Sequence, residues 1–123
     1  MSLFEAVRAF HTKFNLPIAN TPRMLNQQRF EFRCQLHYEE QKELESAFAE
    51  QHLVKIVDGL GDLLFVIAGT CLEFGLPMDK IIEAITKANM SKEQATPKPK
   101  KPPGWVGPEE EIHEAIALLF EKL

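Results

Sequence analysis

Apolar residues recur at spacings of three and four along most of this chain, which is the period of amphipathic α-helices rather than of β-strands. Phe4, Val7 and Phe10 show this spacing in the first segment, where Ser2 stands at a position suited to a helix N-cap. Breaks rich in proline and glycine separate the apolar segments from one another. The pattern predicts helices over residues 2–14, 23–49, 53–74, 78–89 and 109–122.

These segments predict an all-α fold with a four-helix core, in which two long central helices are flanked by shorter ones. Segment 53–74 is apolar on nearly every side, and such a helix is usually buried centrally or against another subunit. A chain of 123 residues offers little surface to cover it. We therefore expect oligomerisation to complete the core, as a homodimer or a homotetramer.

The composition is that of an ordinary globular protein, and the length predicts a single domain over residues 1–123. A formal net charge of −4 argues against a nucleic-acid partner. No signal-peptide pattern and no apolar run long enough to cross a bilayer is evident, so we expect no membrane partner. Cys34 and Cys71 lack metal-ligand or CxxC spacing, which indicates reduced thiols and a cytoplasmic location.

Two acidic clusters interrupt the apolar pattern of the long helices. Glu40 and Glu43 are three residues apart, and Asp58 and Asp62 are four apart, so each pair lies on one helix face. In antiparallel helices the four carboxylates would converge, and their mutual repulsion would call for a cation. Oxygen ligands without His or Cys favour Mg²⁺, with Mn²⁺ as a second possibility.

A structural explanation of these acidic residues stays open at this point. The carboxylates of Asp58 and Asp62 could cap a helix or form salt bridges with Arg29, Arg33 or Lys42. Both aspartates lie in the most apolar stretch of the chain, where acidic residues are rarely buried without a partner. The spacing by itself therefore leaves a metal site and a set of ion pairs as alternatives.

The order of several short motifs resembles a known family. The strings Glu39 to Leu44 and Asp58 to Val66 are similar to the acidic motifs of the MazG-like, all-α nucleoside triphosphate pyrophosphohydrolases. The resemblance is to the short phosphoribosyl-ATP pyrophosphohydrolase-like branch, often labelled Cof-like or phage-type. It covers roughly residues 29–112. The further matching strings are Gly69-Thr70, Glu73-Phe74-Gly75, Asn89-Met90-Ser91-Lys92 and Lys101-Pro102-Pro103-Gly104-Trp105 with Pro108.

The resemblance implies hydrolysis of a (d)NTP between its α and β phosphates, with Glu40, Glu43 and Asp62 as metal ligands. The chain departs from the wider family at position 59, where that family has Glu and this sequence has Gly59. Asp58 is the expected substitute ligand. Glu39 points about 100° away from Glu40 around the helix, and we interpret it as the catalytic proton acceptor, with an ordinary solvated side chain as the alternative.

Substrate contacts are expected from a lysine- and proline-rich loop over residues 92–108 and from the helix before it. The resemblance favours phosphate or sugar contacts for Asn89 and Lys92 and a phosphate contact for Lys101. Trp105 could stack on a base or anchor the loop to the core. Without the resemblance, lysines in such a loop are more often simply solvated.

The sequence thus predicts a Mg²⁺-dependent enzyme that cleaves (d)NTP to (d)NMP and pyrophosphate and clears nucleotides from the pool. Phosphoribosyl-ATP pyrophosphohydrolase proper is the alternative enzyme. A nucleotide- or metal-binding helical module without turnover is the alternative outside catalysis, because the Gly59 departure touches the metal motif. A di-iron bundle is disfavoured, since the acidic clusters lack Glu-x-x-His motifs.

Overall fold

The computed structural model describes residues 1–121, and within them it contains helices and no β-strand. This confirms the all-α prediction for the described part of the chain. Residue 122, the predicted end of the last helix, lies outside the described residues. The helices are α1 (Leu3–Lys13), α2 (Gln27–Ala49), α3 (Leu53–Phe74), α4 (Met78–Met90) and α5 (Glu109–Glu121).

Local capping chemistry explains where the helices begin. Ser2 and Glu5 form a reciprocal capping box at the start of α1, as the sequence predicts. The predicted start of α2 at residue 23 is wrong. Asn26 is the N-cap, because its Oδ1 accepts a hydrogen bond from the Arg29 backbone N–H at 2.8 Å. Residues 23–26 therefore belong to the connector before the helix.

The connector between α1 and α2 covers the C-terminal end of α3, where backbone carbonyls lack helical partners. The N–H groups of Ala19 and Arg23 donate to the carbonyls of Leu72 and Phe74 at 3.0 and 2.9 Å. Gly75 ends the helix with a φ of +69°, and a Cβ at this position would overlap the Thr21 carbonyl. Glycine is thus required here both by backbone conformation and by space.

The chain forms two compact units, Met1–Gly75 with α1 to α3, and a second unit that begins at Leu76 and contains α4 and α5. The expectation of a single domain over 1–123 stays a prediction. Among the described residues, no helix has both the length and the apolar character needed to cross a membrane.

The first unit has a small apolar core between α1 and α3. Val7, Ala68 and Leu72 are buried together, and Phe4 and Phe65 pack against them. The Phe65 ring also meets the ring of Phe10 edge-to-face, with the ring centroids 5.3 Å apart. Much of the apolar surface of α3 lies outside this cluster and is exposed in the isolated chain.

A buried ion-pair network joins α2 to α3. Glu73 is fully buried, and its carboxylate accepts hydrogen bonds from Arg29 Nε at 2.7 Å and Arg29 Nη2 at 2.9 Å. Arg33 Nη1 lies 3.2 Å from the same carboxylate, and Arg33 also donates to Thr70 Oγ1 and to the Val66 carbonyl. The charges of this network are therefore paired and hydrogen-bonded, which is the condition for tolerating charge in a protein interior.

Gly69 makes room for the buried guanidinium. A Cβ at this position would lie 2.6 Å from Arg33 Nη2 and 2.8 Å from His11 Nε2. His11 is itself buried, with Nδ1 2.9 Å from the Pro17 carbonyl oxygen. Side chains from α1 and α2 thus meet over a glycine of α3, and any larger residue would displace one of them.

We predict that Glu73→Gln destabilises the fold by about 3–5 kcal/mol, because it leaves the buried charge of Arg33 and the half-buried charge of Arg29 facing a neutral group. The measurement is urea unfolding followed by far-UV circular dichroism. Glu45→Gln is the control, since Glu45 forms exposed contacts, an ion pair with Lys42 at 3.8 Å and a hydrogen bond from Gln41 Nε2 at 3.4 Å. The control variant should cost less than about 1 kcal/mol. Similar midpoints for both variants would contradict the prediction.

Candidate metal and nucleotide site

Three predicted metal ligands come together between α2 and α3. Glu40 and Glu43 are one turn apart on α2, and Asp62 lies on α3. One carboxylate oxygen from each residue lies within 4.8 Å of the other two. Two carboxylates from one helix and a third from its neighbour thus form a compact oxygen cluster, which suits a hard divalent cation.

The electrostatics of the cluster centre on Glu40. Its Oε2 atom is buried and has no hydrogen-bond partner among the described residues. Burial raises the pKa of the Glu40 carboxyl above its usual range, and the nearby charges of Glu43 and Asp62 raise this pKa further. A cation would supply the missing partner and offset the repulsion, so the donor set fits a divalent metal ion.

The alternative in which these aspartates form salt bridges is not what the structure shows. Within residues 1–121, neither Asp58 nor Asp62 forms an ion pair. The arginines that could have paired with them contact Glu73 instead, and Lys42 pairs with Glu45. Arg29 and Arg33 therefore pair with Glu73 at the α2–α3 interface and do not neutralise the charge of the acidic cluster.

The fourth predicted ligand, Asp58, is not part of the three-residue cluster. It lines a neighbouring cavity of about 420 Å³ together with Glu43 and Gly59. Lys42, Lys55, Ser46, Ala47 and Glu50 complete this lining. Glu43 borders both the cluster and the cavity, so it connects Asp58 to the site without bringing Asp58 among the converging oxygens. Its role as a ligand stays a prediction.

Glu39, the predicted proton acceptor, is exposed on α2 and accepts a long hydrogen bond from Gln35 Nε2 at 3.4 Å. Its charge also contributes, as a minor cause, to the raised pKa of Glu40. Glu39 is therefore close enough to the cluster to affect it electrostatically, while its carboxylate remains accessible to solvent.

A polar chain follows the α2–α3 interface away from the cluster. His37 lies one turn before Glu40, and its Nε2 is 2.7 Å from Thr70 Oγ1, which also receives the Arg33 Nε hydrogen bond. Burial, followed by the Arg33 charge, lowers the pKa of His37, which favours the neutral imidazole. The role of Glu73 as the anchor of this polar network was not predicted from the sequence, although an acidic residue among apolar neighbours was the available signal.

The predicted substrate residues lie in the second unit. Lys92 Nζ and Lys101 Nζ lie 5.5 and 5.0 Å from the centroid of the Trp105 ring. Trp105 Nε1 donates to the Ala88 carbonyl at 3.0 Å, so this side chain ties the loop to the end of α4. Asn89 is exposed on the last turn of α4.

Backbone pairing closes the loop that carries these lysines. The N–H groups of Glu93 and Lys100 each donate to the other residue's carbonyl, at 2.8 and 3.0 Å. A cavity of about 490 Å³ lies within this part of the loop, and four lysines contribute to its lining: Lys92, Lys98, Lys100 and Lys101. Among the described residues none of the four forms a salt bridge, so the loop concentrates unpaired positive charge.

Comparison with known proteins identifies a family for this chain. The family model for phosphoribosyl-ATP pyrophosphohydrolase matches residues 7–89, a range that includes both acidic motifs. No match was found among curated proteins. The family carries out pyrophosphohydrolysis on nucleotide-like substrates and typically uses a divalent metal, which the acidic cluster of Glu40, Glu43 and Asp62 could bind. The matched range spans most of the chain, which therefore belongs to the phosphoribosyl-ATP pyrophosphohydrolase family.

Proposed function

We propose that this protein is a Mg²⁺-dependent nucleoside triphosphate pyrophosphohydrolase that cleaves (d)NTP to (d)NMP and pyrophosphate and clears nucleotides from the pool. The observation that carries the proposal is the buried, unpartnered Glu40 Oε2 among three converging carboxylates in a member of this family. A buried acceptor without a partner is costly unless a ligand satisfies it. Mn²⁺ is a second candidate ion for the same oxygen ligands.

The acidic residues of α2 and α3 have different proposed roles in metal binding and proton transfer. Glu40, Glu43 and Asp62 would hold the cation, and a cation bound there would supply positive charge to offset the negative charge of the phosphate oxygens. Glu39 accepts the proton of the attacking water, a role that its exposed carboxylate on the same helix permits. Asp58 adds a further oxygen ligand or orients water from the neighbouring cavity.

The substrate residues are proposed on chemical grounds. Lys92 and Lys101 carry ammonium groups beside the Trp105 ring and suit phosphate contacts. Asn89 offers an exposed amide to the sugar or phosphate. Trp105 is fixed by its hydrogen bond to Ala88, while its ring offers a surface on which a base can stack.

Phosphoribosyl-ATP is the second candidate substrate, and the description of the matching family model favours it. Both candidates contain a triphosphate that is cleaved to release pyrophosphate, so the acidic cluster serves either equally well. Substrate preference depends on the shape of the pocket around the base and sugar. A direct substrate comparison therefore decides between them.

An oligomer is also proposed. An apolar stripe on α3, between 42% and 73% exposed, comprises Leu53, Val54, Val57, Leu60, Leu64 and Ile67. A contiguous apolar face of this kind is typical of a surface buried against another subunit. We propose a homodimer or a homotetramer with no nucleic-acid partner. The free thiols Cys34 and Cys71 fit a reducing, cytoplasmic location.

The activity prediction concerns Asp62. Asp62→Ala should lower pyrophosphate release by more than about a hundredfold, because loss of an outer-shell partner alone typically costs a metal site 10–100-fold. The measurement is a panel of NTPs, dNTPs and phosphoribosyl-ATP with Mg²⁺, with monophosphate and pyrophosphate quantified separately. Asp79→Ala is the matched control, since Asp79 is an exposed aspartate of α4. Orthophosphate as the product, or full activity in Asp62→Ala, would refute the proposal.

The stability prediction concerns Glu40. Its raised pKa means that the folded chain holds the proton more tightly than the unfolded chain. The resulting stability is fully present below the unfolded-state pKa and is lost as the pH rises through the folded-state pKa. Glu40→Gln should therefore raise the melting temperature of the metal-free protein at pH 7 while weakening Mn²⁺ binding. Glu45→Gln, an exposed change on α2, should alter neither. A lower melting temperature for Glu40→Gln would contradict this explanation.

The assembly prediction concerns the apolar stripe on α3. Multi-angle light scattering should show a dimer or tetramer for the native chain and a smaller species for Leu60→Glu/Leu64→Glu, because burying two carboxylates at an interface is unfavourable. Val106→Glu is the control, since Val106 is an exposed apolar residue outside the stripe. A monomeric native protein would rule out this part of the proposal.

A further inference from the structure

Helices α2 and α3 make a close contact next to the acidic cluster. Gly59 is buried, and a Cβ at this position would lie 3.3 Å from the Leu44 Cα and 3.5 Å from the Leu44 Cβ. The first of these distances is shorter than an ordinary van der Waals contact. The missing side chain therefore allows α3 to approach the backbone of α2 more closely than a larger residue would permit.

The contact lies at the level of the proposed metal ligands. Leu44 directly follows Glu43 in α2, and Gly59 lies one turn before Asp62 in α3. A change in the separation of α2 and α3 at this contact would therefore also change the distance from Glu40 and Glu43 on α2 to Asp62 on α3. Since the nearest Leu44 atom belongs to the backbone, it cannot move aside by a rotamer change.

The displacement that a side chain at position 59 would cause is similar to the difference in size between cations. An added Cβ at Gly59 requires α2 and α3 to move apart by a few tenths of an ångström at Leu44. Mg²⁺ and Ca²⁺ bind oxygen at distances that differ by roughly 0.3–0.5 Å, and Mg²⁺ demands the stricter geometry. A displacement of this magnitude is therefore enough to spoil a Mg²⁺ site while leaving a Ca²⁺ site usable.

We infer that Gly59 is a positioning residue that sets the spacing of Glu40 and Glu43 from Asp62, and so fits the site to a small divalent cation. This inference rests on the proposed metal site and goes beyond it, because it assigns the cation preference to a residue that has no ligand atom.

Gly61 provides the matched control. It lies on the same helix between Gly59 and Asp62 and is exposed. A Cβ added at Gly61 would meet no atom of another helix within 4 Å in the described part of the chain. Gly61→Ala and Gly59→Ala add the same methyl group and the same gain in helix propensity. Only Gly59→Ala presses that methyl group against α2.

The experiment is isothermal titration of Mg²⁺, Mn²⁺ and Ca²⁺ into the native chain, Gly59→Ala and Gly61→Ala, with far-UV circular dichroism to verify folding. We expect Gly59→Ala to weaken Mg²⁺ binding about tenfold or more, as changes just outside a metal's ligands typically do, while Ca²⁺ binding changes less. Gly61→Ala should retain both native affinities. If Gly59→Ala does not fold, Gly59→Ala/Leu44→Ala takes its place, because it removes the Leu44 Cδ1 atom, which would lie 3.6 Å from the added Cβ, and keeps the closer backbone contact.

Two results would overturn the inference alone: native Mg²⁺ affinity in Gly59→Ala, or an equal loss of Mg²⁺ and Ca²⁺ affinity, which would indicate general damage to the site. Absence of Mg²⁺ and Mn²⁺ binding in the native chain would overturn the proposed metal site and this inference with it. The native titration therefore separates failure of the proposed function from failure of the role assigned to Gly59.

Discussion

The buried carboxylate of Glu73 is the constraint on which the rest of the first unit depends. Arg29 and Arg33, one turn apart on α2, both bind this carboxylate on α3. An ion pair in the interior tolerates little change of geometry, because a shifted register would leave a charge without its partner. The network thus favours one alignment of α2 with α3, and that alignment places Glu40 and Glu43 beside Asp62.

Small residues on α3 make this alignment sterically possible. Gly69 leaves room for the Arg33 guanidinium and for His11, and Gly59 lets α3 approach Leu44. Each glycine weakens the intrinsic preference of the helix for its conformation. The two positions lie on opposite sides of Asp62 along α3, so the helix is held close to α2 both before and after the residue that contributes to the acidic cluster.

The acidic cluster has the opposite energetic character. The charges of the Glu73 network are paired, whereas Glu40 has a buried oxygen without a partner among the described residues and a carboxyl whose pKa is raised by burial and by its neighbours. The polar groups of the Glu73 network have partners, and the neighbouring acidic cluster has a buried oxygen that lacks one among the described residues. Such an arrangement is expected where some folding stability is lost in favour of ligand binding. In the second unit, the loop over residues 92–108 likewise contains four lysines that form no salt bridge among the described residues.

The all-α class, most of the helix pattern and the cap of the first helix could be predicted from the sequence alone, because hydrophobic period and capping are local properties of the chain. The helical spacing also predicted that four acidic residues converge, namely Glu40, Glu43, Asp58 and Asp62. Three of them do so, Glu40, Glu43 and Asp62. The position of Asp58 in the neighbouring cavity and the pairing of two α2 arginines with Glu73 could not be predicted in this way. These choices depend on the separation and register of two helices, which are set by contacts between residues far apart in the chain, such as Gly59 with Leu44.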